Sequence, residues 1–146
     1  MTATNHGVLG MLIGAYLPIP LAIPIAFVSH FILDALPHFS IPRNQRNKSK
    51  RFKTFVYTDT LIALSFALLS AYLGRWDMFV VGWVAYSPDF MWVASYFKHG
   101  KHLNVTAKGR FAKFHRNIQK YECSWGIYVE LALLSITLPL TILTLF

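Results

Sequence analysis

The sequence predicts an all-α fold, a single integral membrane domain over residues 1–146 built as a polytopic helical bundle of about five helices. Three observations predict it. Hydrophobic residues make up 55% of the chain and charged residues only 14%, against roughly a quarter in soluble domains. The apolar stretches are long and nearly free of charge. Of the 14 lysines and arginines, all but Arg75 fall in two loops. A soluble nucleic-acid binder shares the basic excess but not the apolar content, so nucleic acid is not an expected partner.

The first apolar segment covers about 6–17, "HGVLGMLIGAYL". At ~1.5 Å per residue it is about 18 Å long, too short to cross a ~30 Å hydrocarbon core upright. Pro18 and Pro20 separate it from the second, about 20–36, which carries Pro24. The pair reads as a Pro-broken hairpin dipping into the membrane. Gly10 and Gly14 have the small-xxx-small spacing that lets its two helices approach closely. The third segment runs over about 54–73. Gly74 and Arg75 turn the chain into the fourth, about 76–97, and the fifth covers about 124–146.

Charge sets the orientation. Arg43, Arg46, Lys48, Lys50, Arg51 and Lys53 follow segment two; Lys98, Lys101, Lys108, Arg110, Lys113, Arg116 and Lys120 follow segment four. Two crossings separate these loops, so they share a side, and the positive-inside rule makes it cytoplasmic. The N-terminus is then cytoplasmic and Phe146 outside, in a plasma (inner) membrane. The stretch 107–120 reads as an interfacial amphipathic helix with Phe111, Phe114 and Ile118 toward lipid or protein. The sequons at Asn47 and Asn104 fall on the cytoplasmic side and are discounted. The N-terminus has no basic n-region, so no cleaved signal peptide is expected. One cysteine, Cys123, excludes an intrachain disulfide and a Cys-based zinc site.

Four of the six acidic residues, Asp34, Asp59, Asp89 and Glu130, sit in or at the ends of apolar segments. Folded onto the segments, all four fall in the cytoplasmic half of the membrane. His6, His30, His38 and His115 fall in the same layer. Carboxylates at close range cannot all ionise unaided, and the apolar segments offer no lysine or arginine. A divalent cation resolves this, with neutral histidines as co-ligands. His30 and Asp34 are spaced i, i+4 on one helix face, as are His115 and Gln119. Each has a plainer reading: Asp59 as a cap or a partner of Thr58 and Thr60, Ser87-Pro88-Asp89 as a kink, Glu130 as an acceptor from Tyr128 or Trp125. The joint depth favours metal.

"TNHGVLGMLIGAYL" with "SHFILDALPHF", an intramembrane Pro-Asp in "YSPDFMW", and "FHRNIQ" resemble a family of bacterial membrane-bound metal-dependent hydrolases. That resemblance implies His6, His30, Asp34 and Asp89 as metal residues, with Asp59 an addition. The Pro-Asp follows the His-x-x-x-Asp helix here, where the family pattern has it earlier, and a second aspartate two residues on is absent. The His-x-x-x-Asp helix is also similar to the metal-binding helices of zinc-dependent phospholipases C, as a chemical analogy.

The expected activity is hydrolysis of a phosphoester-type bond of a lipid or amphiphile. One or two divalent ions, zinc before manganese, are held by His6, His30, Asp34, Asp59, Asp89 and Glu130. His115 and His38 are expected in acid–base roles, with ligation of the metal as the alternative for each. Arg116, Lys113 and Gln119 are expected to hold the substrate. Membrane lipids, anionic ones included, are the expected partners, and self-association stays open. Two rival readings are a proton- or cation-coupled transporter and a non-catalytic scaffold stabilised by its metal.

Overall fold

The computed structural model describes residues 1–98 and 109–146. Lys101, Lys108, the Asn104 sequon and the start of the 107–120 stretch lie outside the described residues. Among the described residues every element is helical apart from two residue pairs. In order it forms α1 (Ala3–Tyr16), α2 (Ile19–Asp34), β1 (His38–Phe39), α3 (Arg43–Arg46), α4 (Lys50–Tyr72) and α5 (Trp76–Tyr86). A 3₁₀ turn (Ser87–Asp89) leads into α6 (Phe90–Lys98). Then come α7 (Arg110–Ile118), a second 3₁₀ turn (Gln119–Tyr121), β2 (Glu122–Cys123) and α8 (Gly126–Leu145).

Among the described residues two helices, α4 with 23 residues and α8 with 20, are long and apolar enough to cross a membrane. The shorter α1 and α2 form the expected hairpin. Leu17 and Pro18 are extended between them, and Pro18 caps α2 without needing an amide proton. The fourth apolar segment is not one helix. Pro88 cannot donate to the helical ladder, and the chain tightens into a 3₁₀ turn that separates α5 from α6.

The centre of the molecule is α1, which packs on α2, α4, α5 and α8. Gly10 and Gly14 face α5 rather than the predicted partner α2. A Cβ on Gly10 would stand 2.6 Å from Ala85 Cβ, and one on Gly14 would stand 2.6 Å from the Asp77 carbonyl. Small residues continue this theme: Ala22, Ala26, Ala63, Ala67 and Ala85 are buried. Large apolar side chains point outward instead, with Leu68 and Leu143 64% and 77% exposed. Small residues at the close helix contacts, with many leucines outside, suit helices that pack in an apolar solvent.

Polar contacts tie the ends. At one end Thr141 Oγ1 donates to the Val8 carbonyl over 3.2 Å. There Arg75 also donates to the Thr144 carbonyl and pairs with Asp77 at 3.0 Å. At the other end β1 and β2 pair in parallel, His38 opposite Glu122. Arg46 locks that pairing, donating to Ser40 Oγ at 2.6 Å and to Glu122 at 2.7 Å. The β1–β2 link and the contact between α2 and α7 bring α7 against the end of α2.

Candidate metal centre

Helix α2 is apolar until its last two turns, where His30 and Asp34 share one face and both are fully buried. Ala35 closes the helix and Pro37 prevents its continuation. His30 Nδ1 lies 2.8 Å from the Ala85 carbonyl of α5. A carbonyl only accepts, so Nδ1 carries the proton and Nε2 keeps its lone pair for another partner. That Nε2 faces His115 of α7, which is also fully buried. Asp89 enters from the 3₁₀ turn, its side chain 32% exposed. The proline that breaks the fourth segment thus sets the place of this carboxylate.

Four donor atoms converge. His30 Nε2 and His115 Nε2 are 3.1 Å apart. Asp34 Oδ2 is 3.3 Å from the first and 2.7 Å from the second. Asp89 Oδ1 is 3.7 Å from each nitrogen. All four lie within 4.8 Å of one another. Donors at ~2.0–2.2 Å from a tetrahedral ion stand about 3.3–3.6 Å apart. The observed separations bracket that spacing, and two imidazoles with two carboxylates are a fitting donor set for zinc or manganese. The cluster can therefore hold a divalent ion.

Gln119 Nε2 donates to Asp34 Oδ2 at 2.8 Å. This places it behind a donor rather than toward a substrate, and fixes that carboxylate's orientation. His6 borders the cluster from α1. Its Nε2 is 3.2 Å from Asp34 Oδ1, and its ring stacks on His30 with centroids 3.9 Å apart. It contacts the other oxygen of Asp34, away from the four converging donors. The Met1 amino group also donates to Asp34 Oδ1, at 2.5 Å, a partner sequence reasoning did not foresee.

Asp59 and Glu130, expected as ligands, are not among the four converging donors and are engaged by backbone amides instead. Asp59 accepts from the amides of Ala3 at 2.7 Å and Thr4 at 3.0 Å. It caps the N-terminus of α1 from a neighbouring helix, where free amides and the helix dipole favour an anion. Glu130 is buried and accepts from the amides of Thr2 at 3.1 Å and Phe39 at 2.8 Å. Both carboxylates satisfy backbone donors, which explains their shared depth without a metal.

His38 is likewise placed for structure rather than acid–base work. Its Nδ1–H donates to the Leu36 carbonyl at 2.8 Å, and its backbone pairs with β2. Burial lowers its pKa, as does the Met1 ammonium; the Leu36 hydrogen bond, Asp34 and Glu122 oppose this only in part. Arg116, half-buried, follows His115 directly on α7, and Lys113 is exposed on the same helix. His115, expected as an acid–base group or a ligand, stands among the donors. Its i, i+4 spacing to Gln119 was the available signal.

No known protein family, curated protein or solved structure matches the chain.

Proposed function

We propose that the chain is an integral membrane, metal-dependent hydrolase that adds water across a phosphoester-type bond of a lipid or amphiphile. The observation that carries this reading is the convergence of His30, Asp34, Asp89 and His115 at one end of a helix bundle with an apolar outer surface. The motif resemblance to bacterial membrane-bound hydrolases adds to it. In this reading the five apolar segments lie in the plasma membrane, with the basic residues of α3, α4 and α7 on the cytoplasmic side.

The chemistry such a centre would supply, with zinc favoured over manganese, is a lowered pKa for bound water and polarisation of a phosphoryl oxygen. His30, His115 and Asp34 would hold the ion, the three-donor pattern of catalytic zinc sites. Asp89 is the outlying donor, 3.7 Å from both nitrogens and partly exposed. That position suits a carboxylate that accepts a proton from attacking water. Arg116, beside His115, can grip a phosphate with two parallel hydrogen bonds, and Lys113 adds charge. Gln119 and His6 hold Asp34 in place.

A metal-stabilised scaffold is the second reading, favoured by the near-tetrahedral closure of the four donors. Release of phosphate or headgroup from mixed lipid micelles, with and without chelator, separates the two. Chelator-sensitive release that Asp89→Asn abolishes while metal stays bound supports the enzyme. Full metal occupancy without release from any phospholipid or isoprenoid phosphate supports the scaffold.

A further inference from the structure

A shallow groove of about 490 Å³ runs along α5 to the start of α6. It is lined by Phe79, Val80, Trp83, Val84, Ser87 and Phe90. The spacing of Phe79, Val80, Trp83 and Val84 puts them on one face of α5, and Ser87 and Phe90 continue the lining across the 3₁₀ turn. Ser87, the single hydroxyl among them, is satisfied by the Val84 carbonyl at 2.8 Å, so the lining offers hydrocarbon and ring surface. Three rings wall it in succession: Phe79 and Trp83 have centroids 6.2 Å apart, Trp83 and Phe90 5.6 Å.

Two features identify the occupant. The groove ends on Ser87 and Phe90, which flank the Pro88-Asp89 turn, so it leads to the element that carries the outlying donor of the metal cluster. From Phe79 to Phe90 it is roughly 16 Å long at helical rise. Half of a ~30 Å hydrocarbon core, the reach of one leaflet's chains, is the same length. A second copy of the chain would need ~20–30 residues a side, many more than this stripe presents.

We infer that this groove seats one hydrocarbon chain of a lipid with a phosphomonoester head, which reaches the His30–Asp34–Asp89–His115 cluster. The inference rests on the metal-centre reading and names the substrate class for it. The chain fixes the lipid along α5 and brings its head to the level of Asp89, so a water-soluble phosphoester lacks the contact that orients it.

The test uses a variant that keeps Trp83 as its sole tryptophan, with Trp76, Trp92 and Trp125 changed to Phe, in phosphatidylcholine nanodiscs. The probe is a minor fraction of phosphatidate or phosphatidylcholine brominated along the acyl chain, with metal content measured on the same samples. Phosphatidate is expected to reach half-quenching of Trp83 at a roughly tenfold lower mole fraction, a preference of about 1.4 kcal/mol. Val84→Phe, which fills the groove, should abolish that preference. Equal quenching by the two lipids in metal-loaded protein, or a preference untouched by Val84→Phe, overturns the groove and leaves the metal centre standing. A preference that persists in protein stripped of metal keeps the groove and overturns the attachment of the lipid head to the cluster. Native mass spectrometry of wild type provides a second measurement if the single-tryptophan variant does not fold: retained phosphatidate lost in Val84→Phe supports the inference, and unchanged retention overturns it.

Discussion

His30 and His115 face each other through their Nε2 atoms at 3.1 Å, although 85 positions separate them in the chain. The Ala85 carbonyl holds the proton of His30 on the far nitrogen. Two lone pairs at this distance repel unless a proton or a cation lies between them, and Asp34 Oδ2 completes the same face.

His30→Ala and His115→Ala should therefore each weaken zinc binding by more than the ~10–100-fold typical of supporting residues. Gln119→Ala and His6→Ala, which hydrogen-bond Asp34 from outside the four donors, should stay within that range. Competition against a chromogenic chelator in detergent measures all four. Equal affinity in every variant would remove the centre.

Asp59 separates a cap from a ligand. Asp59→Ala frees the amides of Ala3 and Thr4 at the start of α1. The expected cost is about 0.5–2 kcal/mol of stability, read as a lower thermal midpoint in detergent, with zinc stoichiometry unchanged. Loss of one bound zinc without loss of stability would restore Asp59 to the ligand set.

Much of this arrangement was legible in the sequence because helix spacing is local information. The His30–Asp34 pair follows from i, i+4 geometry alone, and the Pro88 break follows from a missing amide proton. The partner of Gly10 did not follow, because small-residue spacing says that a helix will be close and not which one. Nor could depth tell Asp59 and Glu130 from Asp34 and Asp89. A free helix terminus and a cation both attract carboxylates to one layer, and only tertiary placement decides between them. The Ala85 carbonyl, which sets the tautomer of His30, leaves no mark on residue type at all.

His38 should make stability depend on pH in one direction. Its folded pKa lies below the ordinary value near ~6.5 because it is buried. In acid the unfolded chain then takes up a proton that the folded chain refuses, so stability is lost as pH falls through about 6.5. The slope from this one group is at most about 1.4 kcal/mol per pH unit. His38→Asn keeps a donor for the Leu36 carbonyl and cannot titrate. Between neutral and mildly acidic buffer its thermal midpoint should fall less than that of wild type, whose other titrating groups both proteins share. Parallel loss in the two proteins would refute the assignment.

The packing of α1 on α5 should also reach the metal. Gly10 has room for no side chain: its Cβ would meet Ala85 Cβ at 2.6 Å and the Val81 carbonyl at 3.0 Å. Gly10→Ala must push α5 outward, and forcing volume into a close contact costs about 1–3 kcal/mol. Ala85 moves with α5, and its carbonyl holds the ring of His30. The same substitution should therefore lower zinc affinity as well as the thermal midpoint. Gly14→Ala meets the Asp77 carbonyl at 2.6 Å, roughly 6 Å further along α1 and away from the cluster. It should destabilise the fold to a similar extent and leave zinc affinity closer to that of wild type. Tyr16→Ala, on an exposed side chain, should change neither. If Gly10→Ala and Gly14→Ala lower zinc affinity equally, the α5 contact acts through global stability and not through the carbonyl that orients His30.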